Sequence, residues 1–173
     1  MKKLLFMVFG ILMVSLPVQA EELVIRMNLI DSSGTGKAIG SITAASSPYG
    51  TIFTPDLVGL SPGLHGFHVH QNPSCRPEEK GGNKVPGLAA GGHYDPAGTK
   101  THLGPYEEGH LGDLPALYVD THGKATHPGL APQINISDLR GRALMIHAAG
   151  DNYSDHPKKL GGGGARVACG VIR

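Results

Sequence analysis

Short segments in which apolar and polar residues alternate recur along the chain and predict β-strands. Leu23, Ile25, Met27 and Leu29 fall on one face of an extended segment, because alternate side chains of a strand point the same way. Turn residues at 46–48 and 121–124 separate other predicted strands, and only 137–140 suggests a helical turn. Short strands with turns between them favour an all-β antiparallel sandwich or barrel. The further strands are predicted at 38–44, 49–53, 63–70, 117–120, 143–147 and 166–172.

Two long stretches do not fit strands. Residues 71–110 and 148–164 are rich in glycine, proline and polar residues. Loops of this length are uncommon in a compact domain unless they are functional or disordered. Because His93, His102 and His110 lie in the first of them, we interpret both as metal-binding and access loops attached to a rigid sandwich.

The N-terminus is typical of a signal peptide. Two lysines precede an apolar, uncharged run at 4–17, and small residues that suit cleavage follow at 18–20. The alternative is a membrane anchor, but the run is shorter than the ~20 residues needed to cross a bilayer. We therefore predict a signal peptide at 1–20 and a single domain at 21–173.

Charge and cysteine content narrow the class of protein further. The net charge is +1 and no basic run is present, which argues against a nucleic-acid partner. No second long apolar run suggests a membrane contact after signal cleavage. The two cysteines, Cys75 and Cys169, lie beyond the signal, and two cysteines in an exported protein most simply form one disulfide.

The predicted strand at 63–70 carries a pair of histidines on one face. His68 and His70 are two residues apart, so they point the same way, whereas Phe67 and Val69 point towards the core. His65 has the core parity, so we exclude it as a ligand and expect a hydrogen-bonded core histidine. Two such histidines could bind a metal or could simply be exposed surface residues.

Further ligand-type side chains favour metal binding over the surface alternative. Imidazole suits copper and zinc, and one carboxylate can complete a tetrahedral zinc site. The seven candidates exceed the four ligands of one zinc site, so they fit two metals better than one. They are His68, His70, His93, His102, His110, Asp113 and His147. His122, His127 and His156 occur in turn-like polar contexts and are expected at the surface.

Four motifs resemble the signatures of the copper/zinc superoxide dismutases, and of their bacterial periplasmic branch in particular. Their order and spacing extend the resemblance from about residue 23 to the end of the chain. The resemblance implies a Greek-key β-sandwich, or flattened barrel, with long metal-binding and electrostatic loops. The motifs are Gly66-Phe67-His68-Val69-His70, Gly91-Gly92-His93, Gly109-His110-Leu111-Gly112-Asp113-Leu114-Pro115 and the segment Gly161-Gly162-Gly163-Gly164-Ala165-Arg166 with the strand that follows it.

The resemblance also implies a role for each site residue, with one copper and one zinc per subunit. It implies copper ligands at His68, His70, His93 and His147, and zinc ligands at His93, His102, His110 and Asp113. His93 would bridge the two metals. Asp151 matches an aspartate that hydrogen-bonds one histidine of each site, Arg166 matches an arginine beside the copper, and Cys75 with Cys169 matches the family disulfide.

The implied activity is conversion of superoxide to O₂ and H₂O₂ in the periplasm, by one-electron cycling of copper, with His93 accepting and returning a proton. One alternative is a copper-handling, catalytically silent homologue of the same fold, which would be expected to lack a copper ligand or the arginine. Another is a structural zinc module, which would leave His68, His70 and His147 unexplained.

Tyr106 bears on the oligomeric state. It follows Pro105 in a polar loop between two implied zinc ligands, where dimeric bacterial members of the family, by resemblance, place an aromatic contact residue. A solitary surface tyrosine is the other interpretation and needs no special explanation. We expect a homodimer.

Overall fold

A computed structural model describes residues 21–173, so the signal peptide predicted for 1–20 lies outside the described residues. Within this range the regular structure is almost entirely β, as predicted, with short 3₁₀ turns at Leu88–Ala90, Ile136–Leu139 and Leu160–Gly162. No helix in residues 21–173 is long and apolar enough to cross a membrane. The strands are β1 (Glu22–Asp31), β2 (Gly34–Ser47), β3 (Gly50–Val58), β4 (Gly63–His65), β5 (Phe67–His70), β6 (Glu78–Lys80), β7 (Asn83–Val85), β8 (Leu117–Val119), β9 (Lys124–Ala125), β10 (Gly129–Ala131), β11 (Arg142–His147) and β12 (Arg166–Ile172).

Eight of the strands form one antiparallel sheet that curls around the core. Its order is β10-β3-β2-β1-β12-β11-β5, and β9 also pairs with β3. The strands predicted on either side of the turn at 46–48 are present as β2 and β3, and they pair with Ser47 opposite Gly50. Two small ladders, β4-β8 and β6-β7, complete the structure. β5 therefore ends the large sheet and presents a free edge to the loops.

The apolar faces of the strands meet in one main core. Ile25 and Met27 are buried there as the alternation predicts, and Phe53 packs edge-on against Phe67 with ring centroids 5.7 Å apart. Burial of such apolar surface is the main favourable term in folding. The core gives the adjacent edge strand β5 a fixed backbone on which functional side chains can be placed.

The strand predicted at 63–70 is broken into β4 and β5 at Gly66. The Gly66 N–H donates to the carbonyl of Ala149, and its own carbonyl accepts from the His147 N–H, both at 2.8 Å. β4 then pairs with β8, whereas β5 pairs with β11. A Cβ at residue 66 would lie 3.1 Å from Cε1 of His68, so glycine leaves room for this histidine.

Part of the long stretch at 71–110 is a β-hairpin that the prediction missed. β6 and β7 pair in the register Glu79↔Lys84. The turn residues Gly81 and Gly82 both have positive φ angles, 59° and 78°, which glycine adopts readily in tight hairpin turns. Charged flanking residues hid the strands, although the Gly-Gly pair is itself a recognised hairpin signal.

The disulfide between Cys75 and Cys169 is present, as predicted. It ties the first long loop to β12 across a sequence separation of 94 residues, with the Cα atoms 5.8 Å apart. The chain-entropy model values a cross-link of this span at about 4–5 kcal/mol. The loop is thereby fixed against the strand that carries Arg166.

Candidate metal centre

Six histidines and two aspartates converge where β5, the end of β11 and the two long loops meet. β5 supplies His68 and His70, and β11 ends at His147. His68, His70, His93, His102, His147 and Asp113 are all buried. The remaining two members are His110, from the first loop, and Asp151, from the second. The structure thus brings together the seven predicted metal ligands and Asp151, the aspartate predicted to hydrogen-bond two of them.

The first loop reaches the site by pairing with the free edge of β5. Isolated β-bridges join His68 to Asp113 and His70 to His93. The Val69 N–H donates to the Gly112 carbonyl at 2.8 Å. A Cβ at residue 112 would collide with the Val69 carbonyl oxygen, so glycine is required for this close approach. Backbone pairing therefore delivers both loop ligands to their neighbours on the strand.

His68, His70, His93 and His147 form a first group. One ligand atom from each can be chosen so that all lie within 4.8 Å of one another. Three of these histidines use one ring nitrogen as a donor to the protein: His68 Nε2 to Asp151, His70 Nδ1 to the Gly91 carbonyl and His147 Nδ1 to the Gly164 carbonyl, at 2.7, 2.9 and 3.1 Å. Their other nitrogens are buried and have no hydrogen-bond partner among the described residues.

A second group surrounds Asp113. Its Oδ1 lies 2.8 Å from His93 Nδ1 and 3.5 Å from His110 Nδ1, and its Oδ2 lies 2.8 Å from His102 Nδ1. Despite this proximity, Asp113 Oδ2 and the Nδ1 atoms of His102 and His110 make no hydrogen bond of acceptable geometry within residues 21–173. Buried polar atoms rarely lack a hydrogen-bond partner, and a metal ion could bind these unpartnered atoms of neighbouring side chains.

The hydrogen-bonding state of each nitrogen bears on the fourth member of the second group. The second set of ligand atoms that lie within 4.8 Å of one another comes from His93, His102, Asp113 and His68 rather than His110. His68 Nε2 is already bonded to Asp151, and its Nδ1 is needed to complete the first group. His110 has an unpartnered Nδ1 close to Asp113. This favours placing His110 in the second group, with His93 shared between the two groups.

Asp151 connects the two groups. Its Oδ2 accepts from His68 Nε2 at 2.7 Å and its Oδ1 from His102 Nε2 at 2.8 Å, and the carboxylate is fully buried. Burial would raise the pKa of this carboxyl, but the two histidine donors hold it well below its usual value. Because the ionised carboxylate accepts a hydrogen bond from the Nε2–H of His68 and of His102, the free lone pair of each ring is on its Nδ1 atom.

Comparison with known proteins decides the family. The family model described as copper/zinc superoxide dismutase matches residues 38–172. A Salmonella typhimurium protein named superoxide dismutase [Cu-Zn] 1 is 57% identical over 171 residues, covering 98% of this chain and 97% of the relative. The solved copper/zinc superoxide dismutase of Brucella abortus superimposes with a TM-score of 0.87 at 49% identity, covering 88% of this chain and all of the other.

The chain belongs to the copper/zinc superoxide dismutase family. It is an oxidoreductase that converts superoxide to O₂ and H₂O₂, and copper and zinc are its cofactors. The unpartnered ring nitrogens and the unpartnered carboxylate oxygen fit those two metals, since imidazole binds both and one carboxylate suits zinc.

The ring nitrogens of the first group suit a superoxide dismutase that must bind copper near neutral pH. Burial holds the pKa values of His68 and His70 well below the ordinary value, and lowers that of His147 to about 4, with further contributions from neighbouring His93 and Arg166. These imidazoles are therefore neutral and ready to coordinate. Burial acts in the same direction on His102, but Asp113 and Asp151 outweigh it and raise its pKa to about 9.

Arg166 lies beside the first group of this dismutase. It is the cross-strand partner of His147. Its guanidinium donates to the carbonyls of Gly87 and Gly91 at 2.5 and 2.6 Å. The Gly91 carbonyl also accepts from His70 Nδ1, so one backbone oxygen orients both the arginine and a ligand of the first group. Arg166 therefore has a structural role, because its guanidinium binds two carbonyls of the first long loop.

The remaining histidines of the superoxide dismutase lie outside both groups. His65 is buried, and its ring nitrogens face the carbonyls of His147 and Ser61 at 2.6 and 2.8 Å, as expected for a core histidine. His122, His127 and His156 are exposed, as predicted.

Three residues around the site were missed by sequence reasoning: Tyr153, Asp155 and Gly161. The Tyr153 N–H donates to Asp151 Oδ1 at 2.7 Å, and Asp155 accepts from the backbone of His102. Gly161 belongs to a quoted motif but had no individual role. The contact of Tyr153 with Asp151 is local, since two residues separate them, whereas the contacts of Asp155 and Gly161 with His102 are formed only when the two loops fold together.

Gly161 packs directly on the Asp151–His102 hydrogen bond, so we predict that Gly161→Ala disrupts it. A Cβ there would overlap Asp151 Oδ1 and lie 2.8 Å from His102 Nε2. Gly141→Ala is the matched control, since its φ of 74° is close to the 69° of Gly161 but nothing lies within 4 Å of its Cβ. Both variants should lose about 1–2 kcal/mol in urea unfolding from left-handed backbone strain. Only Gly161→Ala should also lose metal by elemental analysis, and full metal content there would contradict this packing role.

Proposed function

We propose that this superoxide dismutase holds one copper at His68, His70, His93 and His147, and one zinc at His93, His102, His110 and Asp113, in each chain. The single observation that carries the assignment is that His93 belongs to the first group and has its Nδ1 beside Asp113 of the second, while the other ligand atoms are buried without partners among the described residues. A shared imidazole is the arrangement that gives eight coordination positions from seven side chains.

Copper, when bound, supplies the one-electron couple of the reaction, whereas zinc has no redox chemistry. His93 would carry the proton. Its Nδ1 lies 2.8 Å from Asp113 Oδ1, which leaves Nε2 as the nitrogen that would take up a proton and return it to the product. Burial lowers the pKa of His93, although Asp113 opposes this.

Arg166 holds the anionic substrate at the copper side. The carbonyls of Gly87 and Gly91 use two of its five N–H groups, so the same guanidinium has donors left for an anion. Burial lowers its pKa from the ordinary value, yet an arginine remains charged at any working pH. At ~6 Å and an effective dielectric constant of ~20, a unit charge pair is worth about 3 kcal/mol before solvent screening.

The copper-handling, silent homologue was the main alternative. Such a protein would be expected to lack a copper ligand or the arginine, and this chain has all of them in one buried cluster. Relatives named superoxide dismutase, 47–57% identical over nearly the whole chain, support the enzyme.

The enzyme works in the periplasm, to which residues 1–20 direct it. The charged start, the short apolar run and the small residues at 18–20 support an export signal, and the disulfide suits an oxidising compartment. Intact mass of the protein from a periplasmic extract should correspond to a chain that starts near Glu21. Retention of Met1 would contradict the export signal.

The enzyme is a homodimer in which Tyr106 lies at the contact. This side chain is 62% exposed, although it is large and aromatic and sits on a loop that carries zinc ligands. The oligomeric state needs a direct test, because the solved structure of a Salmonella enterica relative is described as monomeric. That relative is 49% identical and superimposes with a TM-score of 0.80 over 88% of this chain. Light scattering at micromolar concentration should give the mass of a dimer, and Tyr106→Glu the mass of a monomer. Tyr49→Glu, at a tyrosine that is 76% exposed, is the control, and a wild-type monomer would overturn the assignment.

Replacing His102 should remove zinc selectively. His102→Ala takes one ligand from the zinc set and leaves the copper set complete, so elemental analysis should show zinc loss with copper retained. His127→Ala, at an exposed histidine, should keep both metals. Full zinc retention in His102→Ala would show that the zinc assignment is wrong.

Replacing Arg166 should slow the reaction while both metals stay bound. Arg166→Ala should lower kcat/KM several-fold and Arg166→Glu more, because electrostatic focusing changes association rates by ~10-fold or more. Raised salt should slow the wild type. Arg140→Glu makes the same charge change at an exposed arginine whose partner is Glu21 and should have little effect. Wild-type activity of Arg166→Glu at full copper occupancy would exclude the guiding role.

A further inference from the structure

Two aspartates of the second long loop, Asp151 and Asp155, accept hydrogen bonds from His102. Asp151 holds its side chain through Nε2, as described above. Asp155, four residues later, accepts the backbone N–H of His102 on Oδ2 at 2.9 Å. The side chain of the first contact is fully buried, whereas Asp155 is partly exposed at the surface of the loop. The second contact is therefore not part of the metal-binding cluster itself.

The other oxygen of Asp155 fixes the wall of a surface cleft. Oδ1 accepts the backbone N–H of Leu160 at 3.0 Å. Leu160 has a φ of 56°, a left-handed conformation that costs a residue with a side chain ~1–2 kcal/mol and so needs support. A cleft of about 560 Å³ leads from the surface to His93 and His110, and Asp155, Lys159 and Leu160 all line it.

The ordinary interpretation of such an aspartate is a local turn cap. Asp120 is an example: its Oδ1 accepts the N–H groups of His122 and Lys124, both in the same turn. Asp155 differs because one of its bonds is local and the other spans 53 residues to the zinc loop. The carboxylate of Asp155 thus accepts two backbone N–H groups, of His102 and Leu160, and hydrogen bonds to a charged acceptor are of the stronger kind.

We propose that Asp155 is a positioning residue that couples the backbone of His102 to the cleft wall at Lys159 and Leu160. Through this carboxylate, the loop that binds zinc and the wall of the cleft that reaches His93, which we take as an approach for superoxide, move as one unit. The proposal rests on the proposed zinc role of His102 and goes beyond it, because it makes the shape of the entrance depend on a contact outside both metal sites.

The loop has other supports, so Asp155 can be removed without unfolding it. The Tyr153 Oη accepts the Ala116 N–H at 2.9 Å, and the Tyr153 N–H still holds Asp151. A Cβ at Gly104 would lie 2.7 Å from the Tyr153 ring, so this ring is packed closely on the zinc loop. Asp155→Ala is therefore expected to leave Asp151 on its two histidines.

The first test measures amide hydrogen exchange by NMR in the full domain, with Asp155→Ala, Asp155→Asn and the control Asp120→Ala. Loss of a charge-assisted bond should speed exchange of the His102 and Leu160 amides about tenfold in Asp155→Ala. Asp155→Asn has one carbonyl oxygen and should lose protection at one of the two amides. Asp120→Ala should leave both unchanged. Unchanged exchange in Asp155→Ala, or faster exchange of Leu160 alone, would reduce Asp155 to a local cap and overturn the proposal.

The second test measures zinc release to a chelator and kcat/KM at full metal occupancy. Asp155→Ala should release zinc several-fold faster and, while still loaded, show a lower kcat/KM with kcat nearly unchanged, because capture rather than chemistry is affected. Zinc release at the wild-type rate would overturn the coupling. Failure of the zinc assignment is distinguishable, since it would appear as zinc retention in His102→Ala, whereas the amide measurements need no metal assignment.

Discussion

The structure depends on keeping a set of ring nitrogens buried and without a protein partner. Leaving a buried polar atom unpaired costs of the order of 1–3 kcal/mol, and this chain does so at several histidines in one place. The cost is tolerated because the opposite nitrogen of most of these rings is bonded to a carboxylate or carbonyl that fixes its orientation. The free energy of metal binding then offsets this cost, because the metals bind the unpaired ring nitrogens.

The sheet and the loops divide this work. β5 and β11 place His68, His70 and His147 on a backbone held by the core, while the first loop is added to the free edge of β5 by backbone bridges. The disulfide fixes that loop to β12, and the second loop closes over it through Asp151. Irregular backbone is thus held by long-range bonds rather than by its own conformation, which explains how glycine-rich loops can form a rigid site.

Local patterns in the sequence predict those parts of the molecule that depend on local geometry. Strand parity pairs His68 with His70 and sets His65 apart, and the alternating segments give the all-β class. The break at Gly66 is not visible in the pattern, because it is caused by bonds to Ala149 and His147. The contact of Asp155 with His102 is equally hidden, since 53 residues separate them. The ligand groupings came from resemblance to a family, because no spacing rule specifies which loop residues meet.

The Gly91 carbonyl is shared by His70 and Arg166, and it is a main-chain atom. No codon change can delete it, whereas a side-chain acceptor could be lost in a single mutation. The relative placement of His70 and Arg166, which we propose as a metal ligand and the substrate-binding cation, is therefore set by the path of the backbone at Gly91, where φ is 77°. Divergent sequences can keep this geometry as long as the chain still turns at the same place.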